Sequence, residues 1–255
     1  MNIAIIATRV RSIGMNRGAN MKEWVTGRGC VIHRLVGGVY NVYALTHGDD
    51  MLLVDTGRIY GWRLLRNRIE GLRSRAGHRA LILTHSHFDH AENAARMKNS
   101  SGLKVIVHRS ERHYLADGDS PLPAGAIFPT RWIMRLFGRL ARPFFRYSGV
   151  LPDICVDERM DLEPFGFDGY ILHTPGHTHG SMSVIVEDRI ALVGDTLFGV
   201  LPGSVMPPYA DDIPGLIKSW RNLLDTPCER FLPGHGREIK RALLERRYAK
   251  YSHLG

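Results

Sequence analysis

Through the first third of the chain, apolar positions recur in short alternating runs broken by Gly and Asp. This period of two predicts consecutive strands at Gly29–Val36, Val39–Thr46 and Met51–Val54. The period then lengthens. A helix is expected around Gly61–Arg75, the strand Ala80–Thr84 follows, and a second helix at Ala91–Lys98 leads to a strand at Lys104–His108. The second half predicts strands at Tyr170–His173, Ser183–Val186 and Ile190–Val193, a helix at Ile213–Leu224, a strand at Arg230–Leu232 and a polar, Arg-rich tail.

Two segments occur in echo. LLVDTG at Leu52–Gly57 is repeated as ALVGDT at Ala191–Thr196, an apolar strand ending in Asp. LILTHSH at Leu81–His87 is repeated as FLPGHG at Phe231–Gly236, an apolar strand ending in His. Strands alternating with helices, duplicated in this way, predict an α/β (α+β) fold of two facing sheets with helices outside. Polar residues gathered at strand ends would then meet at one edge of the sandwich. The 255 residues are read as one domain over 1–255.

Composition changes this picture little. Hydrophobic residues make up 44% and charged residues 23%, the balance of a globular protein, and the net charge of +9 favours anionic partners without choosing among them. Cys30, Cys155 and Cys228 are scattered and odd in number, which argues against a disulfide framework and for a reducing, cytoplasmic setting. No stretch reaches the roughly 18–20 apolar residues of a spanning helix. The opening MNIAIIATRVRSIG is too short for a secretory core; a first strand, or an extension ahead of a start at Met21, accounts for it.

The chemistry concentrates in Thr84-His85-Ser86-His87-Phe88-Asp89-His90. On an extended segment His85 and His87 project to one side. Asp89 and His90 follow as the chain turns into a helix, where they can face a second metal. Imidazole and carboxylate are ligand types for zinc or iron. Three further strand ends carry such groups. Thr174-Pro175-Gly176-His177-Thr178 presents His177 from a forced turn, Gly194-Asp195-Thr196 offers a carboxylate able to bridge two cations, and Pro233-Gly234-His235-Gly236 adds one more imidazole. His173 and His179, close to His177, are expected to support it or face solvent.

In this order the residues resemble the metallo-β-lactamase-fold hydrolase superfamily, whose pattern is Asp, HxHxDH, His, Asp, His; here these are Asp55, His85 to His90, His177, Asp195 and His235. The resemblance implies a four-layer αββα sandwich with a dinuclear site on its edge. It places one metal on His85, His87 and His177, a second on Asp89, His90 and His235, and Asp195 between them with a bridging hydroxide. Asp55 is expected to orient a ligand histidine without binding metal. Two Zn²⁺ per chain are expected, with iron or manganese as alternatives. Asp89 and Asp195 are the catalytic carboxylates, Asp89 holding or relaying the proton.

Between the second and third ligand motifs, residues 110–152 exceed a simple connection. Arg131, Arg135, Arg139, Arg142 and Arg146 are spaced like one helical face, with Trp132, Ile133, Leu136, Phe137 and Leu140 filling the remainder. The segment reads as a helical lid over the pocket, as a packed helix with a solvated basic face, or as a weak peripheral contact with membrane. Trp132, Phe137, Phe198 and Tyr209 are candidate substrate contacts.

GDTLF and TPGHT look most like the glyoxalase II (hydroxyacylglutathione hydrolase) branch, but only 20 residues follow His235, too few for that branch's C-terminal glutathione-binding helices. Acyl-homoserine lactonases usually carry Tyr where this chain has Phe198. The set is fuller than that of true β-lactamases. The expectation is a dinuclear zinc hydrolase cleaving an ester, thioester or lactone of a small anionic or acyl-bearing molecule, with no nucleic-acid partner. The alternatives are a phosphodiesterase or nuclease using the same metals, and a mononuclear non-haem iron persulfide dioxygenase.

Overall fold

The structure, a computed structural model, describes residues 21–72, 79–121 and 142–255. Seven strands form the first sheet in chain order: β1 (Lys22–Val25), β2 (Val31–Val36), β3 (Val42–His47), β4 (Asp50–Val54), β5 (Arg79–Ile82), β6 (Lys104–His108) and β7 (Ile154–Val156). β1 to β4 run antiparallel as a meander, and β4 to β7 are parallel. The second sheet is built from β8 (Arg159–Asp161), β9 (Gly169–His173), β10 (Met182–Val186), β11 (Ile190–Gly194), β12 (Arg230–Pro233) and β13 (Ile239–Lys240), ordered β13-β12-β11-β10-β9-β8. Only β11 and β12 pair in parallel there. Each copy of the sequence echo is therefore a parallel pair, β4 with β5 and β11 with β12.

Alternation along the strands separates three apolar layers. In β4, Leu52 and Val54 point between the sheets, where they meet Ile171, Val184 and Leu192. Met51 and Leu53 point outward and are covered by α1 (Trp62–Gly71) and α3 (Ala94–Ser101), through Leu65, Ala94 and Met97. On the far side, Ala191, Val193 and Phe231 are covered by α5 (Ile213–Asp225) and α6 (Arg241–Tyr251), through Leu216, Trp220, Leu223 and Leu244. Strands coated on both faces read as near-continuous apolar runs, which is why LLV and ALV carry little polar alternation. The order helix, sheet, sheet, helix is the expected αββα sandwich.

Several local expectations need correction. The predicted strand Val39–Thr46 starts later, at Val42, because Val39, Tyr40 and Asn41 form the turn that meets the His235 loop. The helix expected at Ala91–Lys98 is two, α2 (Phe88–Ala91) and α3, so helix begins within the ligand motif. The tail is not merely polar: α6 packs Leu244 into the core, and the Arg241 guanidinium donates to the carbonyls of Thr226 and Cys228. The short strands β1, β7, β8 and β13 and helix α4 (Arg112–Asp117) were not expected. The expected helix at 61–75 is described to Gly71; the helix expected from Arg131 onward falls on residues up to 141 that lie outside the described ones, and Arg142–Phe145 is a 3-10 turn. Among the described residues no helix is long and apolar enough to cross a membrane.

Candidate metal centre

The HxHxDH segment leaves the end of β5, while His177, Asp195 and His235 leave the ends of β9, β11 and β12. Both sheets thus feed one edge. Three sets of donor atoms lie within 4.8 Å of one another: His85, His87 and His177; His85, His90 and Asp195; and Asp89, His90 and His235. All seven expected ligands are gathered in these sets.

Each imidazole is held by one nitrogen and presents the other. His90 Nδ1 donates to Asp55 Oδ2 at 2.8 Å, His177 Nδ1 to the Tyr209 carbonyl at 2.9 Å and His87 Nε2 to the Pro121 carbonyl at 3.1 Å. His235 Nδ1 donates to the Val39 carbonyl, and His85 Nδ1 reaches Thr84 Oγ1 at 3.1 Å. Such outer bonds fix the tautomer and aim the free nitrogen, as ligand histidines require. The loops are anchored in turn. Trp220 Nε1 in α5 donates to the Thr196 carbonyl at 2.7 Å, and Asn41 Nδ2 donates to the Pro233 and Gly236 carbonyls on either side of His235.

Asp55, expected to orient a ligand histidine, lies behind His90. It also accepts from Thr84 N–H at 2.8 Å and from Thr84 Oγ at 3.0 Å. His173 stacks on His108 with ring centroids 4.0 Å apart, away from the three donor sets.

The residues fit a pair of cations. His85 Nε2, His90 Nε2 and Asp195 Oδ1 are buried and have no hydrogen-bond partner. An unpaired buried polar atom costs about 1–3 kcal/mol, so three converging on one point call for positive charge. The 3.4 Å between His90 Nε2 and Asp195 Oδ1 is a charge contact, too long for a good hydrogen bond.

Electrostatics divides the histidines. Burial, followed by the neighbouring imidazoles, holds His85 well below its ordinary pKa. Burial lowers His87 and takes His177 down to about 4, so these three are neutral at pH 7. Burial also disfavours charge on His90, but Asp55 and Asp195 outweigh it and raise its pKa well above the ordinary value. His235 is raised too, burial being overcome by Asp195 and by Asp89, whose Oδ2 lies 3.3 Å from Nε2. Burial would raise Asp89, yet the bond from His235 and the charge of His90 bring it to about 2. Without metal, the carboxylates favour a proton on His90, and in the same direction on His235, in place of the missing positive charge. A metal must displace such protons. Zinc added to the metal-free protein at pH 7 should release protons, that of His90 first. Calorimetry in buffers of different ionisation enthalpy reads this directly, and zinc uptake without proton release would show that those sites are already neutral.

A cavity of about 250 Å³ opens on the cluster, floored by His87, Asp89, His177, Asp195 and His235. Its walls are Phe88, Phe145, Phe198, Pro208 and Tyr209. Phe198 and Tyr209 were expected there; Trp132 and Phe137 lie outside the described residues. Phe145 and Phe88, with ring centroids 4.5 Å apart, were missed. Phe88 sits inside the ligand motif and could have been read from that position alone. A cavity of about 290 Å³ between α1 and α3 lies on the opposite side of the first sheet and holds none of the clustered ligands.

The model of the metallo-beta-lactamase superfamily matches residues 35–235, the span from β2 to the last histidine of the cluster, His235. The chain belongs to that superfamily. Among metallo-β-lactamase relatives, a probable metallo-hydrolase of Methanocaldococcus jannaschii is 27% identical over 74% of this chain and 84% of its own length. The acyl-coenzyme A thioesterase MBLAC2 of Bos taurus is 26% identical over 78% of this chain and 74% of its own. The crystal structure of TTHA1623 in a di-iron-bound form superposes with a TM-score of 0.59 and 27% identity, covering 83% of this chain and 96% of that one. Membership of the superfamily and these metallo-hydrolase relatives, together with the clustered His and Asp donors, support a metal-dependent enzyme.

Close packing leaves no room around the ligands. A Cβ on Gly234 would lie 2.5 Å from His90 Cε1 and 2.6 Å from Asp195 Oδ1. Gly234→Ala should therefore push two ligands apart and lower the metal content towards one ion per chain, read by elemental analysis of folded protein. Full occupancy would mean that the loop yields and the contact is slack.

Proposed function

We infer that this protein is a dinuclear zinc hydrolase that cleaves an ester, thioester or lactone of an acyl-bearing small molecule. The first ion would be held by His85, His87 and His177 and the second by Asp89, His90 and His235, with Asp195 between them. When bound, two such ions lower the pKa of water towards neutrality and polarise the substrate carbonyl. The protein's own part is positional. Asp89, a carboxylate at neutral pH on the cavity floor, accepts and returns a proton. Phe88, Phe145, Phe198 and Tyr209 exclude water and hold an apolar group against the centre.

The observation that carries this reading is an apolar-walled cavity floored by His87, Asp89, His177, Asp195 and His235 of the donor cluster. The rim extends it. Val39, Phe144, Val200 and Leu201 are exposed large apolar residues beside the residues that hold His235 or wall the cavity. The Val39 carbonyl holds His235, Gly199 N–H donates to the His235 carbonyl, and Phe144 adjoins Phe145. A rim of this kind suits an acyl chain, as does the thioesterase activity of the bovine relative. It suits a nucleic-acid backbone poorly.

The experiment is metal quantification followed by a screen of thioester, lactone and phosphodiester substrates. Two zinc ions with thioester or lactone cleavage are expected. In the same screen Phe145→Ala and Phe198→Ala should lower kcat/KM for long acyl substrates by roughly ten- to a hundredfold and spare a small activated ester, since each ring offers about 1.5–3 kcal/mol of burial. Equal losses on both substrates would make the rings packing elements. One observation favours a second reading: His85, His90 and Asp195 form a two-histidine, one-carboxylate set, as a single iron of a persulfide dioxygenase would need. One iron per chain, with dioxygen consumed and no hydrolysis, would establish it.

A further inference from the structure

Glu111 is 2% exposed, an acid buried beside a metal centre in which it is not a ligand. It lies in the 3-10 turn Arg109–Glu111 that follows β6, remote in sequence from both loops it touches. Its Oε2 accepts from Ser86 N–H at 3.1 Å and from the Ser86 hydroxyl. Its Oε1 accepts from Gly180 N–H at 3.2 Å. Ser86 stands between His85 and His87; Gly180 stands three residues after His177. One carboxylate thus joins the loop that carries two histidines of the first set to the loop that carries the third.

Apart from this carboxylate, one backbone bond crosses between them, from Met182 N–H to the Thr84 carbonyl at 2.8 Å, at the bases of the two loops. One leaves β5 in the first sheet and the other leaves β9 in the second. The imidazoles meet with His87 Nδ1 only 3.1 Å from His177 Nε2, and the rings of His85 and His177 are 4.7 Å apart, edge to face. Metal–ligand lengths are held to within about 0.2 Å, so a drift of one loop by a few tenths of an ångström is felt at the ion. Gly180 is fitted to the contact: a Cβ there would lie 2.4 Å from Glu111 Cγ. Ser86 is gripped from a third side, its carbonyl accepting from the Tyr147 hydroxyl at 2.6 Å.

We propose that Glu111 is a positioning residue for the first metal, a carboxylate clamp that fixes the distance between the His85–His87 loop and the His177 loop. The inference rests on the reading of His85, His87 and His177 as one ligand set, and not on which bond the enzyme cleaves. Glu111→Gln keeps the size of the side chain but turns an amide N–H₂ towards one of the backbone donors it now satisfies, so one arm of the clamp opens. Ser86→Ala removes one hydroxyl and leaves both backbone bonds, a milder change that preserves folding if the first does not.

The test is cobalt(II) titration of metal-free full-length protein in an Asp89→Ala background, where the set of Asp89, His90 and His235 is broken and the three-histidine set is intact. Chelator competition gives the affinity, and the visible absorption band of cobalt gives the geometry. Glu111→Gln should weaken cobalt binding by roughly ten- to a hundredfold, the usual effect of losing an outer partner of a metal site, and shift the band. Ser86→Ala should weaken it less and in the same direction. A group that merely fills space would lower the Tm of the metal-free protein and leave affinity and spectrum as they were; that result in both variants would overturn the proposal. No cobalt binding by the Asp89→Ala parent would overturn the three-histidine assignment, and the clamp with it.

Discussion

Asp195→Asn should lower turnover by more than roughly a hundredfold, beyond the usual effect of losing an outer partner of a ligand, while the protein remains folded. Asp195 is the one carboxylate that faces both ligand sets. Its Oδ2 lies 3.4 Å from His235 Nε2 and 3.7 Å from His177 Nε2, and its Oδ1 lies 3.4 Å from His90 Nε2. Although burial opposes its charge, His235 and His90 hold it far below the usual carboxylate range. An amide of the same size brings no charge to offset two cations, so one ion should be lost along with activity. Turnover, elemental analysis and thermal unfolding on one preparation separate these effects. Unchanged turnover with both ions retained would remove Asp195 from its role.

Stripping the metals should destabilise the protein as a whole. The clustered donors come from loops of both sheets, so an ion held by them would tie one sheet to the other at their common edge. Any ligand that binds only the folded state adds stability by mass action, about 4 kcal/mol when free metal is a thousandfold above Kd. In a chain of this size that is a Tm shift of roughly 8–16 °C. Scanning calorimetry across a zinc series, with chelator as the origin, should show Tm climbing with the logarithm of free zinc. A Tm indifferent to zinc would mean that the sheets do not need the ions to stay together.

Much of this site was legible because its parts are local. HSHFDH sits in six residues, and each remaining expected ligand follows an apolar strand and a glycine, so type and place could be read together. The αββα order was legible too, since LLV and ALV are apolar on both faces and need cover on both. What could not be read was set by contacts distant in sequence. Nothing near Glu111 distinguishes it from a surface acid; only the fold brings it to Ser86 and Gly180. Phe145 meets Phe88 across 57 positions, in a stretch where the sequence drew attention to Trp132 and Phe137 instead. Helix α6 was hidden by its arginines, because one buried Leu244 gives little apolar stripe to find.

The two parallel strand pairs also bear on how one carboxylate came to stand behind a ligand and the other among the ligands. Immediately after the last valine of each leading strand the backbone turns left-handed, at Asp55 with φ 63° and at Gly194 with φ 48°. In the first copy the acid occupies that turn itself, and its side chain folds back under Thr84 and His90. In the second copy glycine takes the turn and the acid comes one residue later, where it faces the centre. If the halves descend from one ancestral unit, the division of labour between Asp55 and Asp195 needed no new scaffold, only an offset of a single residue at the same bend.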